Sequence, residues 1–218
     1  MRSDPIPVLA EFEARLITAL GADCDVAPKH VNCDEQHSCR RFIGAAAQDA
    51  AGLAFASDLE HHGVRAHIVS PPPAAASEPS AVSLCLVTPD GQRTMRTCLG
   101  AAQHLTEDTL PVSALEACNL LHCEGYTLYK PAMLRKALQH ARQHGARTSL
   151  DLGSYEAVQH CQEPLLEILE EGLIDLFFCN EDEAAALQSI VPSRSGGARP
   201  ESLLLLCCDS SKSEAPSL

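Results

Sequence analysis

The side chains best suited to chemistry gather behind three apolar runs. Asn180 is followed by Glu181, Asp182 and Glu183, so one amide and three carboxylates fall within four positions. Asp151 lies at the far end of Arg147 to Leu152, and Glu124 with Gly125 and Tyr126 follows Asn119 to Cys123. Carboxylate and amide oxygens are hard ligands of the kind that hold magnesium, commonly with several waters retained. Asn180 and Glu183 also have the spacing of a helix cap, each reaching for the other's backbone N–H. The two readings are compatible, because a helix start attracts anions while a carboxylate attracts the cation. Asp151 equally suits a turn in which the carboxylate accepts from nearby backbone.

Other clusters point less clearly to chemistry. His30, Cys33, His37 and Cys39 fall within ten residues. Two Cys and two His can hold zinc, yet their order and short intervening loops fit no common finger or ribbon, and a solvated loop is the competing reading. The eleven cysteines show no regular disulfide spacing and no neighbouring base. They are expected to be reduced thiols, mostly small buried side chains, in a cytoplasmic or organellar compartment. Asp4, Glu11 and Glu13 argue against a transit peptide at the amino terminus.

The elements that must position these residues follow from periodicity. Asn119 to Cys123, Arg147 to Leu152 and Ile174 to Phe178 read as strands. Pro131 to His144, Pro164 to Glu171 and Glu181 to Gln188 read as the helices between and after them. Pro131 suits a first helical turn, Leu134, Leu138 and Ala141 recur at helical spacing, and Gly145 stops the helix. Pro164 and Gly172 repeat the device around Leu165, Ile168 and Leu169. Strands alternating with helices predict a parallel sheet, and right-handed crossovers bring the three strand ends to one edge, where open α/β sheets bind ligands.

Upstream, Val8, Phe12, Leu16 and Leu20 fall four apart, which predicts an amphipathic helix from Ile6 to Leu20. Residues 22–41 lack periodicity. Arg41 to Ala45 reads as a short strand, Asp49 caps a helix carrying Ala51, Phe55 and Leu59, Gly63 ends it, and Arg65 to Ser70 returns as a strand. Pro71 to Ser80 is a linker. Ala81 to Thr88 and Arg93 to Leu99, joined by Pro89-Asp90-Gly91, form a hairpin, either a lid over the ligand edge or a purely structural flap. Residues 189–218 hold eight Ser and read as a disordered tail, with Leu203 to Cys208 the only candidate for a last strand. The expected organisation is an N-terminal helix and irregular segment (1–39), an α/β domain (40–188) with a lid at about 65–99, and the tail (189–218).

Composition narrows the function classes. The 218 residues carry 16 basic and 29 acidic side chains, a formal charge of −13, which argues against a nucleic-acid surface because phosphate binding needs clustered Lys and Arg. No apolar run approaches the roughly 20 residues needed to cross a bilayer. Aromatics are 4% with no Trp, so the core must rest on Leu, Ala, Val and Cys. A nicotinamide-dependent oxidoreductase would share the βα repeat, but no G-x-G-x-x-G follows a strand.

Five stretches together resemble the ribokinase-like PfkB carbohydrate kinases, and most of all their adenosine-kinase-like members. They are Arg40 to Val64 (RRFIGAAAQDAAGLAFASDLEHHGV), Leu86 to Ala102 (LVTPDGQRTMRTCLGAA), Cys123 to Tyr129 (CEGYTLY), Ser149 to Ser154 (SLDLGS) and Cys179 to Leu187 (CNEDEAAAL). The resemblance implies a Rossmann-like three-layer α/β sandwich, mostly parallel, with a small β lid, here incomplete. It implies ATP and Mg2+ as cofactors and phosphate transfer to the hydroxymethyl group of a sugar or nucleoside. By the family's N-x-x-E pattern, Asn180 and Glu183 would set magnesium and phosphate through ordered water, and Asp151 would sit near the nucleotide phosphates. Arg93 and Thr94 match the lid and would face substrate, with Gly100, Ala101 and Ala102 the small residues behind it.

Two family features are missing. Val31 to Cys39 (VNCDEQHSC) stands where a Gly-Gly segment framing the sugar pocket is expected. No Gly-Ala-Gly-Asp, the source of the anion hole and catalytic base, occurs in the sequence. A base contributes about 10²- to 10⁴-fold and one oxyanion donor about 10²- to 10³-fold, so the chain is expected to be impaired or inactive. The alternative is a non-catalytic fragment that pairs with a full-length kinase or a second copy, since missing final strands would leave a parallel edge uncovered.

Overall fold

A computed structural model describes residues 17–20, 40–89, 93–190 and 204–207. In chain order its elements are β1 (Ile17–Leu20), β2 (Arg40–Ala45), α1 (Ala50–His61), β3 (Arg65–Val69), β4 (Val82–Val87), β5 (Arg93–Cys98), β6 (Leu120–Cys123), α2 (Pro131–Gln143), β7 (Arg147–Asp151), α3 (Tyr155–His160), α4 (Gln162–Glu170), β8 (Leu176–Cys179), α5 (Glu181–Ile190) and β9 (Leu204–Cys207). Short 3₁₀ turns cover residues 73–75, 100–104, 112–115 and 125–129.

Seven strands make the main sheet in the order β3-β2-β1-β6-β7-β8-β9. β1 runs antiparallel to both β2 and β6, and the other four pairs are parallel. The order steps one way from β2 to β3 and the other way from β6 to β9. With right-handed crossovers, that reversal sends α1 and α2 to opposite faces, giving a doubly wound α/β sandwich. The alternation of strand and helix produces the mostly parallel sheet that the sequence predicts.

Packing explains why the elements hold. Leu121, Leu150 and Phe177, one from each of β6, β7 and β8, are fully buried, as are Leu134, Ala137, Leu138 and Ala141 of α2 and Ile168 of α4. Full burial of such an aliphatic or aromatic side chain contributes about 1.5–3 kcal/mol. At the opposite rim, Asp175 ties α2 to β7: Arg142 Nη1 donates to its Oδ1 at 2.8 Å and the Thr148 amide donates to its Oδ2 at 2.8 Å. Burial opposes the charge on Asp175, but these bonds hold its carboxyl below the ordinary value.

Several expectations are corrected. Residues 17–20, assigned to the end of a helix, form β1, where β-branched Ile17 and Thr18 suit a strand paired on both sides. The rest of that predicted helix, the His30/Cys33/His37/Cys39 cluster and the turn residues Asp90 and Gly91 lie outside the described residues. β3 pairs with β2 in the main sheet, so the separate two-stranded sheet spans only β4 and β5. α3 went unpredicted; the Ser154 hydroxyl caps it, accepting from the Ala157 amide at 3.1 Å. α4 begins at Gln162, two residues before Pro164. Ala51 of α1 is exposed, while Phe55 packs edge-on against Phe42 with centroids 5.2 Å apart. β9 extends the sheet within Leu203 to Cys208, beside β8, so the sheet does not stop at α5.

Candidate functional site

The carboxyl ends of β6, β7 and β8 bring Glu124, Asp151, Asn180 and Glu183 to one edge. β7 and β8 set the relation between the last three: Asp151 lies opposite Phe178, and the Leu152 amide donates to the Phe178 carbonyl at 2.9 Å. Asn180 follows β8 directly and opens α5.

Asn180 and Glu183 form a reciprocal cap. The Glu183 amide donates to Asn180 Oδ1 at 2.9 Å, the Asn180 amide donates to Glu183 Oε2 at 3.0 Å, and Asn180 Nδ2 donates to Glu183 Oε1 at 3.0 Å. Both carboxylate oxygens are therefore held, and Glu183 is only 5% exposed. Burial pushes its pKa above the ordinary value, the Asn180 bonds oppose that, and the negative charge of Asp151 adds to it.

Asp151 is shaped by its turn. Its Oδ1 accepts from the Gly153 amide at 2.8 Å, the local bond that its type predicts. The 3₁₀ turn after Glu124 packs tightly onto it: a Cβ on Gly125 would lie 2.2 Å from the Leu152 carbonyl oxygen and 2.7 Å from that of Asp151. Only glycine lets the two strand ends approach this closely. Thr127 closes the turn, its hydroxyl donating to the Glu124 carbonyl at 2.5 Å.

His122 and Ser149 complete the floor and were not singled out from sequence. His122 Nδ1 pairs with Ser149 Oγ at 2.8 Å and its ring meets Phe178 edge-on, centroids 5.5 Å apart. Burial holds the His122 pKa below its ordinary value, with Asp151 opposing. A polar residue inside the apolar run NLLHC was the available signal.

Arg93 and Thr94 stand on the second, two-stranded sheet. Arg93 heads β5, paired through the backbone with Val87, and Thr94 pairs with Leu86 and is exposed. No hydrogen bond joins Thr94 to Asp151, Asn180 or Glu183. Gly100 is a close-packing position, at φ +44° with a Cβ that would meet the Pro79 carbonyl oxygen at 2.1 Å. The β4–β5 ribbon is anchored at its base by Asp49, which caps α1 through the Gly52 amide at 2.8 Å. Asp49 also accepts from the Ser80 amide at 2.8 Å and the Ser80 hydroxyl at 2.7 Å.

Magnesium fits the shelf by donor type, since all its groups are oxygens. The Asn180 bonds occupy one lone pair on each Glu183 oxygen and leave the others for a hydrated ion. Cys118 and Cys123 are buried, and burial pushes both thiols up. Among the described residues no helix is long and apolar enough to cross a membrane.

Residues 31–190, well over half of the chain, match the family described as pfkB family carbohydrate kinase. Among solved structures, an adenosine kinase from Sinorhizobium meliloti is 29% identical with a TM-score of 0.61, and the match covers 68% of this chain and 46% of that one. A probable sugar kinase from Rhizobium etli is 27% identical with a TM-score of 0.61, covering 68% and 45%. Adenosine kinase from Schistosoma mansoni, solved with 2-fluoroadenosine, is 17% identical with a TM-score of 0.63 over 80% and 57%, a likeness of fold alone. The chain spans about half the length of these structures. No curated protein matches it significantly.

Proposed function

This chain belongs to the pfkB family of carbohydrate kinases, and on that premise we propose that it is built as an ATP-dependent phosphotransferase whose turnover, in the 218 residues alone, is low or absent. The acceptor would be the hydroxymethyl group of a sugar or nucleoside. Adenosine and simple sugars head the panel, because the two rhizobial matches carry those descriptions.

The shelf carries this reading. Glu183 is a buried carboxylate facing a second one, Asp151, with its geometry fixed by Asn180. Asn180 and Glu183 would hold hydrated magnesium, and Asp151 would orient the same waters beneath the phosphates. Bound magnesium supplies neutralisation of phosphate charge, which together with positioning is most of what phosphoryl transfer asks of a protein. Glu183 stays ionised beside the cation and keeps the Asn180 cap in register. Arg93 and Thr94, on the lid, would meet the acceptor. The low turnover follows from the sequence, which holds no Gly-Ala-Gly-Asp to supply the base and the anion hole.

The test is a coupled assay of the chain with ATP, magnesium and ribose, fructose or adenosine, beside calorimetric titration with Mg2+-ATP. Binding that weakens in Asn180→Ala and Asp151→Asn, with little turnover, is the expected result. Robust turnover would contradict the low activity, and binding indifferent to both variants would remove the shelf.

A second reading, a non-catalytic chain that pairs with another kinase subunit, is favoured by the lid. Val82, Leu84 and Leu86 alternate along β4 and are 49%, 56% and 54% exposed, an apolar stripe on a ribbon that has two strands among the described residues. The buried thiols suit a reducing, cytoplasmic setting under either reading.

A further inference from the structure

The carboxyl-terminal end of α2 carries His140, with His144 just beyond the helix, and Glu116 reaches them from the segment ahead of β6. One nitrogen of each ring and one carboxylate oxygen lie within 4.8 Å of one another. The rings are tilted together, centroids 4.3 Å apart and planes at 36°. Histidines four apart on a helix share a face, so the backbone itself pairs them.

Two further observations point to a ligand. His140 Nε2 is shut off from solvent without a hydrogen-bond partner, one of two such side-chain atoms among the described residues. A buried orphan of this kind calls for a partner such as an ion. His144 Nδ1 lies 2.9 Å from the His140 carbonyl oxygen, and because a carbonyl only accepts, the proton is on Nδ1. That leaves Nε2 with its lone pair outward, and an outer bond from the second nitrogen to a carbonyl is what metal-bound histidines commonly make.

We infer that Glu116, His140 and His144 bind a divalent late transition ion, zinc foremost, at a site separate from the shelf. Imidazole nitrogen suits zinc, nickel and copper, whereas magnesium favours oxygen alone. Zinc bonds of about 2.0–2.2 Å in tetrahedral geometry need ligand atoms roughly 3.3 Å apart. Glu116 and His144 are exposed and free to close that distance; water takes the fourth position. The site sits ahead of β6 and β7, at the opposite edge of the sheet from Asp151 and Asn180. Zinc there would clip the segment before β6 to the end of α2 without touching the phosphates.

The experiment uses the whole 218-residue chain, stripped by chelator and titrated with Zn2+, then with Co2+ followed by absorption. The expected result is one ion whose Co2+ spectrum shows d–d bands without thiolate charge transfer, undisturbed by excess Mg2+. His144→Ala and Glu116→Gln, both at exposed positions, should each weaken it by at least the roughly 10- to 100-fold lost with an outer-sphere partner. Cys33→Ser with His37→Ala should leave it intact. No bound zinc, a purely thiolate spectrum, or binding unchanged in both single variants would overturn the site. None of these readouts needs nucleotide or turnover, so failure here leaves the kinase reading standing, and failure of that reading leaves this one.

Discussion

Glu183 is ionisable, 5% exposed and within the field of Asp151, so its charge works against the fold unless a cation answers it. Its folded-state pKa is raised above the ordinary 4.5 by burial first. The contribution of Glu183 is therefore fully present below about that value and is lost as pH climbs through the raised folded pKa. Glu183→Gln removes this dependence but has a single oxygen for two Asn180 donors, a pH-independent loss of about 0.5–1.5 kcal/mol. Melting curves in magnesium-free buffer should show the variant's deficit shrinking, or reversing, from pH 5 to pH 8; a deficit that is constant with pH would refute the buried charge. Asn180→Ala removes the cap and should cost about 0.5–2 kcal/mol at any pH, or roughly 2–4 °C in Tm per kcal/mol for a chain of this size. The cap was legible in sequence because its partners are three residues apart. The repulsion between Asp151 and Glu183 was not, since it depends on how β7 and β8 align.

The βα repeat was readable from Asn119 onward because each helix there has a strong local signal: Pro131 at the start of α2, the Leu134/Leu138/Ala141 stripe, and Gly145 at φ +83° to end it. α3 escaped because it has six residues and its cap, Ser154, sits in a stretch without periodicity. β1 escaped because its partners β2 and β6 are distant in the chain, and four-residue spacing favoured a helix. The partner of β3 was equally invisible, which put Arg65 to Val69 in the lid. Where elements meet, glycine and short polar side chains set the geometry. Gly125→Ala would drive a methyl into the Leu152 carbonyl, and overpacking of this kind costs typically 1–3 kcal/mol. Urea unfolding should show that loss together with weaker Mg2+-ATP binding, because the backbone that yields carries Asp151; unchanged unfolding would mean that the two strand ends are not in close contact. Asp49→Ala should lower Tm by removing the α1 cap and the anchor of the lid at Ser80. The Ser80 and Gly52 bonds hold the Asp49 carboxyl below its ordinary 3.8, so its contribution is present above that pH and fades as pH falls through the lower folded value. The Tm gap between wild type and variant should close only in strong acid, and a gap that closes nearer neutral pH would count against this anchor.

At the scale of the molecule, the sheet changes its winding direction between β2 and β6, and the shelf lies on the β6 side of that switch, where doubly wound sheets place ligands. His140 and His144 are four apart in the sequence, a spacing that carries no meaning until the path of the chain ahead of β6 delivers Glu116 to them. The lid poses a different physical problem. Among the described residues β4 and β5 pair only with each other, and an isolated two-stranded ribbon is marginally stable in water. Cross-strand support is modest: Ser83 and Thr97 share a hydrogen bond of 2.9 Å, and Val82, Leu84 and Leu86 remain exposed. Covering that stripe with a second lid would stabilise the ribbon and bury the apolar side chains in one step, so the expected oligomer is a dimer joined through β4. Leu84→Glu with Leu86→Glu places like charges across such an interface in a chain already at −13. Sedimentation velocity should find a wild-type dimer and a monomeric variant whose Tm is lower by the stability that pairing confers, which grows with protein concentration. A wild type that sediments as a monomer at every concentration would show that the ribbon stands uncovered and that the lid is held from its Asp49 base alone.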